Sequence, residues 1–415
     1  MSTPERPFLP PPLPPAAILA LPSSPKATPP RAGETLAAFV AELKERGFKV
    51  GGLLQETRRE NGRKVAMDLV EIDSGRRTSI HQDLGQGSSC TVDTSGMADA
   101  SQAVRRAIAG RHDLVVVNKF SHLERDGEGL SSEMLDAMAD GLPLLTTVSP
   151  EFAQAWMEFT GGQALMLPPD SLALWRWWGP ERLYQDLALA ARRSGAAKRV
   201  VIGLNWTMVE GPDGVGLAQT PSRDRPGCRA LPDAGGLAGR PLAELAQEIE
   251  AADPFHAAIA AAAINAAINR RDLEGEALNG LDAFANFDGP VAVVGRFPGV
   301  AERLKQPRIL ERAPAAGEYP DTAAPWLLPA CEAAIVTASA LANRSLPAIL
   351  TAAHGRPLAL VGPGCPLSPR LFSYGIDVLS GLVIDDTDGL AQAVAEGGGA
   401  KALKRHGRLV TLKKP

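Results

Sequence analysis

Residues 289–300 read GPVAVVGRFPGV. Val291, Ala292, Val293 and Val294 form an unbroken apolar run, rich in β-branched residues and bounded by Pro290 and Gly295. Such a run has no polar face, so it predicts a strand buried on both sides, as in a parallel sheet covered by helices. Outward from it, further strand runs are expected at 308–310, 333–337, 358–361 and 381–384, alternating with helical segments. Strands separated by helices imply parallel crossovers.

That alternation is Rossmann-like, and open sheets of this kind bind ligands beyond the carboxyl ends of their strands. Three runs here end in polar or Gly-rich turns: Gly295-Arg296-Phe297-Pro298-Gly299, Thr337-Ala338-Ser339 and Gly362-Pro363-Gly364-Cys365-Pro366. A fourth segment places Glu311, Glu318, Tyr319 and Asp321 close together. Carboxylates with a thiolate can hold a borderline or soft cation, so Cys365, Glu318 and Asp321 are the candidate metal ligands, with Cys365 the soft one. Two other arrangements stay open. Glu311 can pair with Arg308 or Arg312, and Cys365 can be a small hydrophobe in a tight turn. The turn at Gly295 has Phe297-Pro298 where a dinucleotide fingerprint needs glycines, which disfavours NAD.

Upstream, RVVIGLNWTMVEG and GVGLAQTP flank Gly211-Pro212-Asp213-Gly214, a strong hairpin signal. Helical stretches at 241–252 and 255–270 follow, giving a small α+β unit over 198–275 ahead of the Rossmann-like unit at 286–415. Asn265 interrupts the Ala-rich second helix. A buried amide there needs partners, so it is either a structural link or a residue of the cleft.

The N-terminal part opens with eleven prolines in thirty residues, which predicts a tail at 1–33 with a first strand available at 16–21. From 34 to about 185 an α/β pattern returns, with strands at 50–54, 65–72, 114–117 and 142–148. After its first strand a phosphate-binding loop would read G-x-x-x-x-G-K-[ST]. The slot reads PSSPKATPPRAGET, no Gly-Lys pair occurs anywhere, and its prolines remove amide donors. Nucleoside-triphosphate hydrolysis is not expected. The strand DLVVVNKF ends in Asn118 and Lys119, with Glu124 on the following loop. Lys119 there can hold an anion or simply face solvent.

Forty-three Lys plus Arg against 47 Asp plus Glu leave a formal charge of −4, which excludes a generic polyanion binder. The one local basic cluster, Lys401, Lys404, Arg405, Arg408, Lys413 and Lys414, reads as solvated surface. No stretch approaches the ~18 apolar residues of a membrane helix. The prolines break any signal-peptide core, so the expected location is cytoplasmic. Cys90, Cys228, Cys331 and Cys365 are far apart, which encodes neither a disulfide framework nor a zinc knuckle. The six histidines show no H-x-x-x-H spacing.

Two resemblances add to this. GFKVGGLLQE, SGRRTSIHQDLGQGSSCTVDTSG, DLVVVNKFSHLERDGEGL, GLPLLTTVS and FAQAWMEFTGG, within 16–180, resemble an uncharacterised bacterial domain encoded near molybdate-uptake genes, akin to P-loop nucleoside-triphosphatases that lack the P-loop. The resemblance implies a site of Arg76, Gln82, Asp83, Cys90, Asp93, Asn118, Lys119 and Glu124, with Ser121 standing where the motif has Gly. GLNWTMVEG, AAINAAIN, VAVVGRFPGV, ERAPAAGEYPD, LLPACEAAIVTASALANRSL and LVGPGCPLSP, within 198–415, resemble a heavy-metal chelation family, an enolase-N-terminal-like domain fused to a Rossmann-like domain. This implies a cleft between the two and the handling of a metal or a metal-bearing cofactor such as a corrinoid. Its ligand-binding residues would be Asn265, Arg296, Phe297, Glu311, Glu318, Tyr319, Asp321, Thr337, Asn343, Gly362, Pro363 and Cys365. Ser345 and Cys365 depart from the residues expected at their positions. The expected architecture is therefore α/β, with an N-terminal parallel-sheet domain of P-loop-like type, a small α+β enolase-N-terminal-like domain and a C-terminal Rossmann-like domain. The expected partner is a small ligand or metal, a transition metal or molybdate, with no nucleic acid, no membrane span and homo-oligomerisation allowed. The alternatives are an enzyme acting on a small anionic or nucleotide-like ligand, and a non-catalytic scaffold.

Overall fold

The computed structural model describes residues 12–20, 31–60, 63–80, 94–222 and 230–415. They fold as two compact units divided in sequence between Trp178 and Gly179. The division falls inside the aromatic segment 172–193, and the stretches 198–275 and 286–415 belong to one compact unit.

The first unit carries a seven-stranded sheet. Its strands are β1 (Ala16–Leu19), β2 (Val50–Glu60), β3 (Arg63–Glu71), β4 (Arg77–Ser79), β5 (Leu114–Val117), β6 (Leu144–Val148) and β7 (Leu165–Leu167), in the order β4-β3-β2-β5-β6-β1-β7. The β2, β5, β6, β1 and β7 neighbours pair in parallel. Every residue of β5 is buried, as its LVVV sequence requires of a strand covered on both faces. The helix Ala32–Arg46 buries Leu36, Phe39, Val40 and Leu43, the spacing of one helical face. Strand–helix alternation had implied parallel crossovers throughout, but β3 returns antiparallel to β2. Two intervening residues are too few for a crossover and suit only a hairpin.

The second unit holds two sheets. The smaller is antiparallel, β10-β9-β8, from β8 (Arg199–Ile202), β9 (Trp206–Glu210) and β10 (Val215–Gln219). The expected hairpin at 211–214 joins β9 to β10, and the first expected strand divides into β8 and β9 around 203–205. The helix Pro254–Ile268 packs on this sheet with all residues from Ala257 to Ala266 buried. Its alanines let it lie almost on the backbone of β10: a Cβ on Gly216 would meet the Ala262 carbonyl oxygen at 1.9 Å.

The larger sheet follows the order β13-β12-β11-β14-β15-β16-β17, with β11 (Val291–Val294), β12 (Pro307–Glu311), β13 (Tyr319–Pro320), β14 (Ala333–Thr337), β15 (Leu358–Val361), β16 (Val378–Ile384) and β17 (Gly407–Lys413). All neighbours are parallel except β16 and β17. The chain runs outward from β11 to β12 and β13, then returns to the other side of β11 with β14. The boundary between β11 and β14 is therefore a topological switch point. Neither β13 nor the edge strand β17 was expected from the sequence. Among the described residues no helix is long and apolar enough to cross a membrane.

Candidate functional site

Just outside the carboxyl ends of β11, β14 and β15 lies a cavity of about 410 Å³. The turns that the sequence singled out form one wall, through Arg296, Phe297, Pro298, Thr337, Ser339, Gly362, Pro363 and Gly364. The smaller sheet and its helix form the other, through Trp206, Ala218, Gln219 and Ala261. Gly295 makes the first turn possible. Its φ is +99°, and a Cβ there would press on Thr337 at under 3 Å, so a larger residue would distort the wall at the switch point.

The electrostatics of the cavity are one-sided. Arg296, Lys401 and Lys404 line it, and among the described residues no aspartate or glutamate does. The Arg296 guanidinium donates to Glu318 from Nη2 at 2.6 Å and from Nε at 3.3 Å, while the Ala315 amide donates to the same carboxylate at 2.7 Å. The Arg296 hydrogen bond, followed by the Ala315 amide, holds the Glu318 carboxyl below the usual range. No hydrogen bond or ion pair among the described residues engages the ammonium of Lys401 or Lys404. These two lysines belong to the basic segment read from the sequence as solvated surface; both are exposed, and the fold also places them at the cavity wall. The segment gave no periodicity from which this could be read.

The proposed metal ligands occupy separate surroundings. Cys365 is fully buried, and its thiol donates to the Leu360 carbonyl at 3.3 Å rather than facing the cavity. Burial pushes that thiol well above its usual range, so at neutral pH it is protonated and not a thiolate ligand. Glu318 is engaged by Arg296, and Asp321 is exposed at the start of a short 3-10 turn. No group of three or more His, Cys, Asp and Glu residues able to hold a metal occurs among the described residues. Of the remaining candidates, Glu311 accepts from the Arg312 amide, and Tyr319 packs edge-on against Trp326. Asn343 accepts from the Ser345 amide and hydroxyl, capping its own turn.

Asn265 is fully buried and does not line the cavity. Its amide nitrogen donates to the carbonyls of Leu217, on β10, and Gly364, on the turn after β15. Asn269, one turn further on, donates to the Cys365 carbonyl and accepts from the Leu367 amide. Together they fasten the Ala-rich helix to the Gly362–Cys365 turn and so fix the distance between the two walls.

In the first unit the described candidate residues Glu124, Asn118 and Arg76 each bond to neighbours outside the candidate set. Glu124 is buried and accepts from the Ser121 amide and hydroxyl, both at 3.0 Å, and from the Leu130 amide. Ser121, where the motif has Gly, thus supplies a hydrogen bond to the loop. Asn118 accepts from the Thr147 hydroxyl, Lys119 is exposed, and Arg76 donates to buried Glu71. Gln82, Asp83, Cys90 and Asp93 lie outside the described residues, as do residues 21–30 of the phosphate-loop slot.

The two units match different families. Residues 24–177 match DUF2478, a family of unknown function, while residues 184–268 and 282–413 match two family models each described as "Putative heavy-metal chelation". Among individual proteins, part of the chain is similar to part of the molybdenum import ATP-binding protein ModC 2 of Bradyrhizobium diazoefficiens, 41% identical over 145 residues. That likeness covers 34% of this chain and 16% of the import protein. The chain is also similar to nucleoside-triphosphatase THEP1 of Methanocaldococcus jannaschii, 26% identical over 124 residues, covering 28% of this chain and 69% of that protein. A crystal structure of a DUF364-family protein of unknown function from Desulfitobacterium hafniense shares 28% identity and a TM-score of 0.52, covering 56% of this chain and 98% of its own.

Proposed function

We propose that the second unit binds a small anionic ligand in its cleft, in the service of metal or metal-cofactor handling, with molybdenum the candidate element. The observation that carries this reading is a switch-point cavity lined by Arg296, Lys401 and Lys404 and by no described carboxylate. A bare cation would meet repulsion there. Molybdenum, by contrast, travels in water as an oxyanion, and a metal held in an anionic organic cofactor presents the same sign of charge. The description of the two matching family models and the name of the import protein suggest metals; the charge of the cleft favours an anionic form of the metal as the ligand. An enzyme acting on a small anionic ligand is the second reading, favoured by a cavity larger and more apolar than a bare oxyanion needs.

The test is titration calorimetry of the full chain with sodium molybdate and with zinc chloride, repeated on Arg296→Ala and Cys365→Ser. Molybdate binding that weakens in Arg296→Ala and is unchanged in Cys365→Ser is the expected result. Zinc binding that Cys365→Ser abolishes would overturn the anionic reading and restore the chelating one.

A further inference from the structure

We infer that the cleft is built for an amphipathic organic anion, a ring-bearing apolar body carrying a phosphoryl-like dianion, and not for a bare oxyanion. This rests on the anionic reading above and narrows it to a chemical class.

The first argument is size. A tetrahedral oxyanion displaces the volume of a few waters, at about 30 Å³ each. In a cavity of about 410 Å³ it would leave most of the space as water against apolar walls. Those walls are made by Trp206, Phe297, Leu281, Leu341, Val361 and Leu382, from both sheets and the turns between them. Pockets of about 300–1,000 Å³ with apolar walls and a few polar groups are the usual form of an organic-ligand site.

Charge supplies the second argument. Arg296, Lys401 and Lys404 carry three positive charges at the cavity, and the Glu318 partner of Arg296 cancels one. A residual charge of about two is matched by a phosphomonoester dianion near neutral pH and only half matched by a carboxylate. The ammonium groups of Lys401 and Lys404, without a partner among the described residues, are the ones placed to meet it. Arg296, already held by Glu318, is positioned to contact the dianion without being released.

Polar groups available to a ring edge complete the picture. The Gln219 side chain lines the cavity with no hydrogen bond among the described residues. Asn279 uses its carbonyl oxygen to cap the Leu281 amide, and its amide N–H groups have no partner among the described residues. Two primary amides facing an apolar slot can read heteroatoms on a ring, a task for which an inorganic anion has no use.

The experiment titrates the full chain, by calorimetry and by tryptophan fluorescence, with four probes: 1-naphthyl phosphate, 1-naphthol, orthophosphate and molybdate. The aryl phosphate should bind at least about tenfold tighter than any of the other three, since only it uses both walls and charge. In the Lys401→Ala/Lys404→Ala double variant its affinity should fall by about tenfold or more, and rising salt should weaken it in the wild type. Both lysines are exposed, so the variant should keep the wild-type melting temperature. Trp206→Ala should weaken the aryl phosphate and leave orthophosphate unchanged. Orthophosphate or molybdate binding as tightly as the aryl phosphate would overturn this inference while leaving the anionic cleft standing. Naphthol binding as tightly, or no binding by any probe, would overturn both.

Discussion

Both units end buried strands in polar turns, yet the two sets of strand ends differ in what they leave unspent. After β5 in the first unit, the Asn118 carbonyl oxygen is taken by the Thr147 hydroxyl and Glu124 by Ser121 and Leu130. After β11, β14 and β15 in the second, the turns open on a cavity whose lysines have no partner among the described residues. A position beyond a strand end is thus only an opportunity. It becomes a site where polar groups remain after the fold has satisfied its own hydrogen bonds. By that criterion Glu124 is spent on its own loop, whereas the second unit's cleft keeps polar groups for the ligand proposed above.

The comparison breaks most sharply at Asn265, which the sequence left open between link and ligand contact. Its amide satisfies two buried carbonyls, Leu217 and Gly364. Asn265→Ala orphans both, at a cost of about 2–4 kcal/mol. In a unit of this size that corresponds to a melting temperature lower by roughly 5–15 °C. The measurement is calorimetric unfolding of the full chain. A variant that melts like the wild type but has lost anion binding would make Asn265 a ligand contact after all.

A smaller effect tests the claim that the first unit's charges are structural. Glu71 is buried, with Arg76 at 2.7 Å, Arg106 at 2.8 Å and the Ser74 hydroxyl at 2.6 Å. Burial alone would raise its carboxyl, but the hydrogen bonds from Ser74 and Arg76 and the charges of Arg76 and Arg106 outweigh it and hold it below the usual range. A depressed carboxyl means that, as pH falls through the ordinary carboxylate range, the unfolded chain binds the proton first. The stabilisation from Glu71 is therefore present above that range and is lost as pH falls through the folded value. Glu71→Gln should cost about 1–2 kcal/mol at pH 7, with the gap to wild type closing as pH falls below about 4. Urea unfolding at several pH values checks this, read through the tryptophans at 156–178. A gap that stays constant with pH would mean that Glu71 is not the titrating group.

Much of this fold was legible because its signals are local. The apolar runs VAVV, AAIVT and LALV are too uniform to be anything but strands buried on both faces, and the Gly-rich residues behind them mark the turns that form one cavity wall. What stayed hidden depends on long-range placement. Cys365 follows directly after Gly364, which lines the cavity, yet its thiol turns inward to Leu360, a direction set by the helix that Asn265 and Asn269 hold against the turn. Lys401 and Lys404 are brought to the cleft by a segment more than a hundred residues from β11. Their spacing is what any solvated helix end would show, so charge counting assigned them to solvent. Glu318 was legible as important, but its role changed from cation ligand to holder of Arg296 once the side chains were placed.

That change of role gives the smallest effect and the finest test of the comparison. If Glu318 is a brake on the cleft, drawing charge from Arg296, then Glu318→Gln should tighten binding of the aryl phosphate. The Ala315 and Arg296 donors can still be met by the amide oxygen, so the turn should persist while the cancelled charge is restored. Arg296 is exposed while Glu318 is partly covered, and solvent screens the pair from the arginine side, so the gain is modest, about two- to fivefold. Salt should erase it, because the effect is electrostatic at the surface. Were Glu318 a metal ligand instead, the same substitution would leave anion affinity unchanged and cost affinity for zinc. Calorimetry of wild type and Glu318→Gln with 1-naphthyl phosphate at low and high salt, and with zinc chloride, separates these outcomes. A loss of anion affinity in Glu318→Gln would show that the carboxylate orders Arg296 more than it neutralises it, making Glu318 a positioning residue for the site.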